Sequence, residues 1–147
     1  MELYPRENYL NKIRGFYHDT ELIKVITGVR RCGKSSLRHT LAEELQSSGI
    51  DKEKLIFINL DARGYKSIKT NEQLEQLLSR YDDIKGTKYL FIDEIQNVTG
   101  FEEVINAFRE DGNYSIFITG SNSYLLSGEL ITKLTGRYIE FEMRTLS

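Results

Sequence analysis

Apolar residues in this chain fall into short unbroken runs that alternate with stretches where they recur every three or four positions. Leu22-Ile23-Lys24-Val25-Ile26 is short and β-branched and stops at Thr27-Gly28, which reads as a buried strand entering a loop. From Ser35 onward Leu37, Leu41 and Leu45 recur every fourth residue until Gly49, so a helix of about three turns is expected there. The unit then repeats: Leu55 to Leu60 reads as a second strand, and Leu74, Leu77 and Leu78 share one face of a second helix. A third strand, Tyr89-Leu90-Phe91-Ile92, ends in Asp93-Glu94, and Phe101, Val104, Ile105 and Phe108 form a helical stripe before a fourth strand at Tyr114 to Thr119. The last unit is less regular, with Tyr124, Leu125, Leu126, Leu130, Ile131 and Leu134 ahead of Gly136 and a fifth strand at Tyr138 to Met143. An amphipathic lead-in helix and loop, residues 1–20, carries Tyr9, Leu10, Ile13 and Phe16.

Alternation of this kind predicts an α/β fold of three layers, a five-stranded parallel sheet with helices on both faces. At 147 residues the chain is the size of one domain, residues 1–147, with no linker, repeat or low-complexity segment. Charged residues at 29% and hydrophobic ones at 39% argue against a disordered or membrane class. A net charge of −2 gives no global basic field, so charge does not support a nucleic-acid partner. Nothing approaches a membrane span of about 18 apolar residues, and the first ten residues lack the apolar core of a secretory signal. The single cysteine, Cys32, permits no internal disulfide, and a reducing cytoplasm is the expected location.

Gly28-Val29-Arg30-Arg31-Cys32-Gly33-Lys34-Ser35 matches G-x-x-x-x-G-K-[ST] at every fixed position and lies between an apolar strand and an amphipathic helix. Backbone N–H groups converging on a phosphate need glycine where a β-carbon would obstruct the approach, and the helix that starts there adds its positive end. Lys34 can then reach the β and γ phosphates, Ser35 can ligate Mg²⁺, and Ser36 extends the phosphate-binding segment. Cys32 reads as a small loop residue, with an oxidation-sensitive role as the alternative.

Asp93 and Glu94 close an apolar strand at the carboxyl edge of the sheet, where open α/β sheets bind ligands. This is a Walker B arrangement, with Asp93 holding Mg²⁺ and Glu94 polarising the attacking water. Strand four runs into Thr119-Gly120-Ser121-Asn122-Ser123, small polar residues at the same edge, which also suit an N-capped loop. No N/T-K-x-D string supplies a guanine-reading aspartate. The tyrosines, among them Tyr65, Tyr81, Tyr89, Tyr114, Tyr124 and Tyr138, read as core packing ahead of base stacking.

Four strings, Val25 to Ser35, Tyr89 to Gln96, Ile118 to Ser123 and Leu134-Thr135-Gly136-Arg137, together resemble the AAA+-type ATPases of bacteria and archaea. In that group an N-terminal ATPase domain precedes a larger C-terminal region. The resemblance implies ATP and Mg²⁺ binding, hydrolysis, and the strand order 5-1-4-3-2. It also implies Asn122 as the sensor of the γ phosphate and Arg137 as an arginine finger serving a neighbouring subunit, hence a homo-oligomer or protein partner. Relatives continue from a Pro-Leu-Ser string, whereas here Thr145-Leu146-Ser147 ends the sequence, so an N-terminal portion of something longer is expected. Three functions stay open at this point: an ATPase, a nucleotide-gated binding module or catalytically weak fragment lacking the lid and C-terminal region, and a small-molecule phosphotransferase, the last disfavoured because Glu94 after Asp93 suits water activation.

Overall fold

The structure, a computed structural model, describes residues 10–28, 31–120, 128–134 and 136–142, with the backbone alone at 31–35, 128, 129 and 131. Five strands, β1 (Ile23–Thr27), β2 (Leu55–Asn59), β3 (Lys88–Asp93), β4 (Tyr114–Thr119) and β5 (Tyr138–Glu142), pair in the order β2-β3-β4-β1-β5 with every pairing parallel. The helices are α1 (Arg31–Ser47), α2 (Asn71–Ser79), α3 (Phe101–Glu110) and α4 (Gly128–Lys133). This is the predicted architecture and the predicted strand order, written from the other edge.

The central strands β1, β3 and β4 are buried at every position, as both-face coverage of a parallel sheet requires, and this is why they read as predominantly apolar runs. Alternate residues feed two cores. Leu90, Ile92, Ile116 and Ile118 face α2 and α3, meeting Leu74, Leu77, Leu78, Val104, Ile105 and Phe108. Phe91 and Phe117 face the other way, onto Leu37, Leu41 and Leu45 of α1 and Leu10, Ile13 and Tyr17 of the lead-in. Tyr89 and Tyr114 are buried and Tyr65, Tyr81 and Tyr138 pack against a core, in line with the packing reading; Tyr124 lies outside the described residues.

The α1 helix begins at Arg31, six residues before Leu37 opens the apolar stripe, so Gly33, Lys34 and Ser35 sit within its opening turns. Apolar periodicity marks only the part of a helix that packs on a core, and the polar first turn carries no such signal. The other end is closed by a Schellman motif: Gly49, at φ 100°, donates to Gln46 O (3.0 Å), and Ile50 N donates to Leu45 O (3.1 Å) while its side chain joins the same core. A capping box between Thr70 and Gln73 starts α2.

The lead-in is helical over 10–14 and is pinned to the last turn of α1 by a partly buried network. Arg14 forks onto Glu44 (Nε to Oε1 3.0 Å, Nη2 to Oε2 2.7 Å), and the Tyr17 hydroxyl donates to Glu44 Oε1 at 2.8 Å. The Arg14 hydrogen bonds hold the Glu44 carboxyl below its ordinary range, while burial, and then Glu44, push the Tyr17 phenol up.

Two lysines are buried inside strands. Lys88 Nζ donates to Ile84 O at 2.8 Å over the Tyr114 ring. Lys24 Nζ donates to Ser115 Oγ at 2.9 Å and to the Asp19 carbonyl, 4.8 Å from the Phe117 ring centroid. Burial lowers Lys24 from 10.5 to about 8. Below pH 8 both folded and unfolded chains hold this proton, and the folded one bears the cost of a buried charge. Between pH 8 and 10.5 the folded chain releases a proton that the unfolded chain keeps, so this group's contribution to stability rises with pH. Lys24→Met, which removes the titration, should therefore gain relative to wild type by about 2 kcal/mol more at pH 7 than at pH 10 in urea denaturation. Equal differences at the two pH values would show that Lys24 is not desolvated as described.

Candidate functional site

The β1 strand ends at Thr27, and Gly28 turns the chain with φ 71°, a left-handed conformation that glycine adopts without a β-carbon clash. By Arg31 the chain is helical, so α1 begins beside the carboxyl end of the sheet. The first four N–H groups of a helix lack intrahelical partners and carry the positive end of its dipole, which makes this opening turn an anion cradle. Of the predicted phosphate-binding residues, Gly28 forms the turn and Arg31, Cys32, Gly33, Lys34, Ser35 and Ser36 lie in the opening turns of α1; Val29 and Arg30 fall outside the described residues.

Asp93 is the last residue of β3 and Thr119 the last of β4, adjacent strands whose ends meet at the same edge. Both are buried, and the Thr119 hydroxyl donates to Asp93 Oδ1 at 2.7 Å. A carboxylate in such a place needs donors, and a threonine hydroxyl on the neighbouring strand is one of them. Only β4 separates Asp93 from β1, so at about 4.8 Å per strand the carboxylate stands roughly 10 Å across the sheet from the turn into the cradle. That span admits a phosphate with a coordinated cation.

Glu94 follows with φ 59°, the one non-glycine residue with positive φ among those described. It opens a 3₁₀ turn over Ile95–Asn97 and is itself buried. Its Oε1 accepts a hydrogen bond from Gln96 Nε2 at 2.8 Å. Asn97 Nδ2 donates to Asp61 Oδ1 at 3.0 Å, bracing this turn against the loop that leaves β2.

Asn122, with Ser121 and Ser123, lies outside the described residues. Arg137 is exposed and stands at the opposite edge: its carbonyl accepts from Ile23 N (3.0 Å), the first residue of β1, whereas the cradle leaves the last. With Thr20, Glu21, Arg109, Glu110 and Gly112 it borders a cavity of about 490 Å³ at that edge. The fold thus brings the cradle, Asp93 and Glu94 together and keeps Arg137 away from them. Sequence reading assigned no role to Thr119 or Gln96, although both stand inside the strings that carried the resemblance.

The Asp93 carboxylate on this edge suits a hard cation, since a carboxylate is an oxygen ligand of the kind Mg²⁺ takes. Among the described residues no group of three or more His, Cys, Asp or Glu is placed to hold a metal, so a cation here would draw its remaining ligands from phosphate and water. No described helix is long and apolar enough to cross a membrane.

Comparison with known proteins agrees with this architecture. The chain is 44% identical over 146 residues to an uncharacterized protein of Haemophilus influenzae, covering 99% of this chain and 36% of that protein. It is 38% identical over 125 residues to an uncharacterized protein of Methanocaldococcus jannaschii, covering 85% of this chain and 27% of that one. The chain therefore spans well under half the length of these curated relatives. In fold it is similar to a DNA polymerase III gamma subunit-related protein of Thermotoga maritima, with a TM-score of 0.58 at 11% identity over 95% of this chain and 47% of that chain. Residues 20–147 match the AAA_14 family, described as an AAA domain, and the chain belongs to that family of nucleotide-binding P-loop ATPases.

Proposed function

We propose that this chain binds MgATP at the carboxyl edge of its sheet and hydrolyses it, with Glu94 activating the attacking water. The observation that carries this reading is the convergence on one edge of the α1 opening turn, Asp93 held by Thr119, and the buried Glu94 carboxylate. In the proposed site, backbone N–H groups of the α1 opening turn bind the phosphates, and Lys34 adds a point charge to the β and γ groups. Ser35 and Asp93 hold Mg²⁺, Asp93 by way of its water shell. When bound, Mg²⁺ neutralises charge on the phosphate oxygens. Glu94 takes the proton of the water whose oxygen bonds to the γ phosphorus as the bond to the bridging oxygen of ADP breaks.

On the same reading Asn122, which follows β4, contacts the γ phosphate. Arg137 serves the site of an adjoining copy, because its own cradle lies beyond the length of β1. Such head-to-tail action requires a heterologous interface, each copy presenting one edge to the other edge of the next.

MgATP titration by calorimetry and phosphate release on the same samples test this. Lys34→Ala should lose most of the binding. Glu94→Gln should keep it while turnover falls roughly 10²- to 10⁴-fold, the span of general-base contributions. Turnover unchanged in Glu94→Gln would remove Glu94 from the chemistry, and wild-type binding without release would make the chain a nucleotide-holding module. A second expectation concerns Asp93: Thr119→Val keeps the shape but removes a donor to a buried carboxylate, and should lower stability by about 1.5 kcal/mol in chemical denaturation. The same substitution should weaken the magnesium dependence of ATP binding; a variant with wild-type stability and magnesium response would show that Thr119 does not hold Asp93.

A further inference from the structure

We infer that Gln96 is a positioning residue for Glu94, holding its carboxylate in the orientation that water activation needs; the inference rests on the proposed role of Glu94. Three observations meet at this side chain. Gln96 Nε2 donates to Glu94 Oε1 at 2.8 Å, a bond that reaches back over the turn from residue 96 to residue 94. The other end of the same amide, Oε1, is buried and has no hydrogen-bond partner among the described residues. Glu94 itself is in a left-handed backbone conformation, at φ 59°.

The bare carbonyl shows which partner sets the amide. Rotating the amide by half a turn would aim Oε1 at the Glu94 carboxylate, two acceptors in contact, so the N–H end must face Glu94 and the carbonyl must take what remains. What remains is an enclosed position: Gln96 borders a cavity of about 320 Å³ with Val98, Phe101, Glu102 and Lys133, but its Oε1 is buried. A buried acceptor is left unsatisfied so that the bond to Glu94 can be made, which is the pattern of a group placed for its partner and not for its own packing.

An amide also suits the task chemically. It fixes one carboxylate oxygen by a neutral donor, whereas a lysine or arginine in its place would form an ion pair and lower the basicity that the carboxylate needs. The turn carrying it is anchored: Ile95 is fully buried, and Asn97 N donates to Glu94 O at 3.1 Å. A left-handed non-glycine residue persists only where its surroundings over-determine it, and the Gln96 bond is one such constraint on Glu94.

Gln96→Met, of similar length and volume but without the donor, separates positioning from packing. Steady-state phosphate release should show kcat lowered roughly 10- to 100-fold, since misplacement by about 1 Å costs on that order, with KM for MgATP within about twofold of wild type. The thermal midpoint should change little, because the donor to the Glu94 carboxylate and the unsatisfied buried carbonyl are removed together, with effects of opposite sign. In a Glu94→Gln background the same substitution should change residual turnover by less than about twofold, the two residues acting as one unit. Gln96→Asn, which keeps the amide but shortens its reach by one methylene, should repeat the kcat loss, so that a poorly folded methionine variant does not decide the matter. An unchanged kcat, an increased kcat, or an effect undiminished in the Glu94→Gln background would each overturn the inference. Wild type without turnover would remove the reading of Glu94 and this inference with it, whereas turnover that depends on Glu94 but not on Gln96 would remove the inference alone.

Discussion

Parallel strands joined by helical crossovers all finish on the same edge, and the cradle turn, Asp93 and Glu94 are brought together by that constraint. The middle of the sheet is closed to chemistry because β1, β3 and β4 are covered on both faces. Only strand ends can present polar groups to a ligand. β1 delivers the chain into the α1 turn, β3 delivers Asp93 and then Glu94, and β4, lying between them, delivers the Thr119 hydroxyl that holds Asp93. Exchanging β4 with β5 would keep the same residues and lose the hydrogen bond.

Much of this was legible in the residues. Continuous apolar runs such as Tyr89 to Ile92 mark strands buried on both faces, and the Leu37, Leu41, Leu45 spacing marks the helical face that packs on them, so elements and layers followed from periodicity. The cradle and the acidic pair were legible because their chemistry demands particular residues at fixed spacing. The illegible parts depend on partners brought together by folding. Lys24 and Lys88 look like interruptions of a strand, and only the tertiary fold supplies Ser115, the Asp19 carbonyl, Ile84 O and two aromatic faces. The Arg14–Glu44–Tyr17 network spans up to 30 positions of sequence, so no local pattern announces it. Gln96 is close to Glu94 in sequence, yet its role needed the geometry of the turn and the bare carbonyl to be seen.

The two edges of the sheet divide the work. One carries the cradle and the carboxylates; the other carries Arg137 and Arg109 beside a polar cavity. The lead-in holds the far end of the helix whose opening turn is the cradle, since Arg14 and Tyr17 grip Glu44 in the last turn of α1. Holding the last turn of a rigid helix restrains where its first turn sits relative to Asp93, two strands away, and so links packing on one face of the sheet to the geometry of the site.

The most direct test of the account is a crystal structure of the chain with Mg²⁺ and a non-hydrolysable ATP analogue. The account predicts the triphosphate against the backbone N–H groups of the α1 opening turn. It places the cation on the Ser35 hydroxyl, with Asp93 one water away and still bonded to Thr119. A nucleotide seated elsewhere, or a cation that leaves Asp93 without a water-mediated contact, would contradict it.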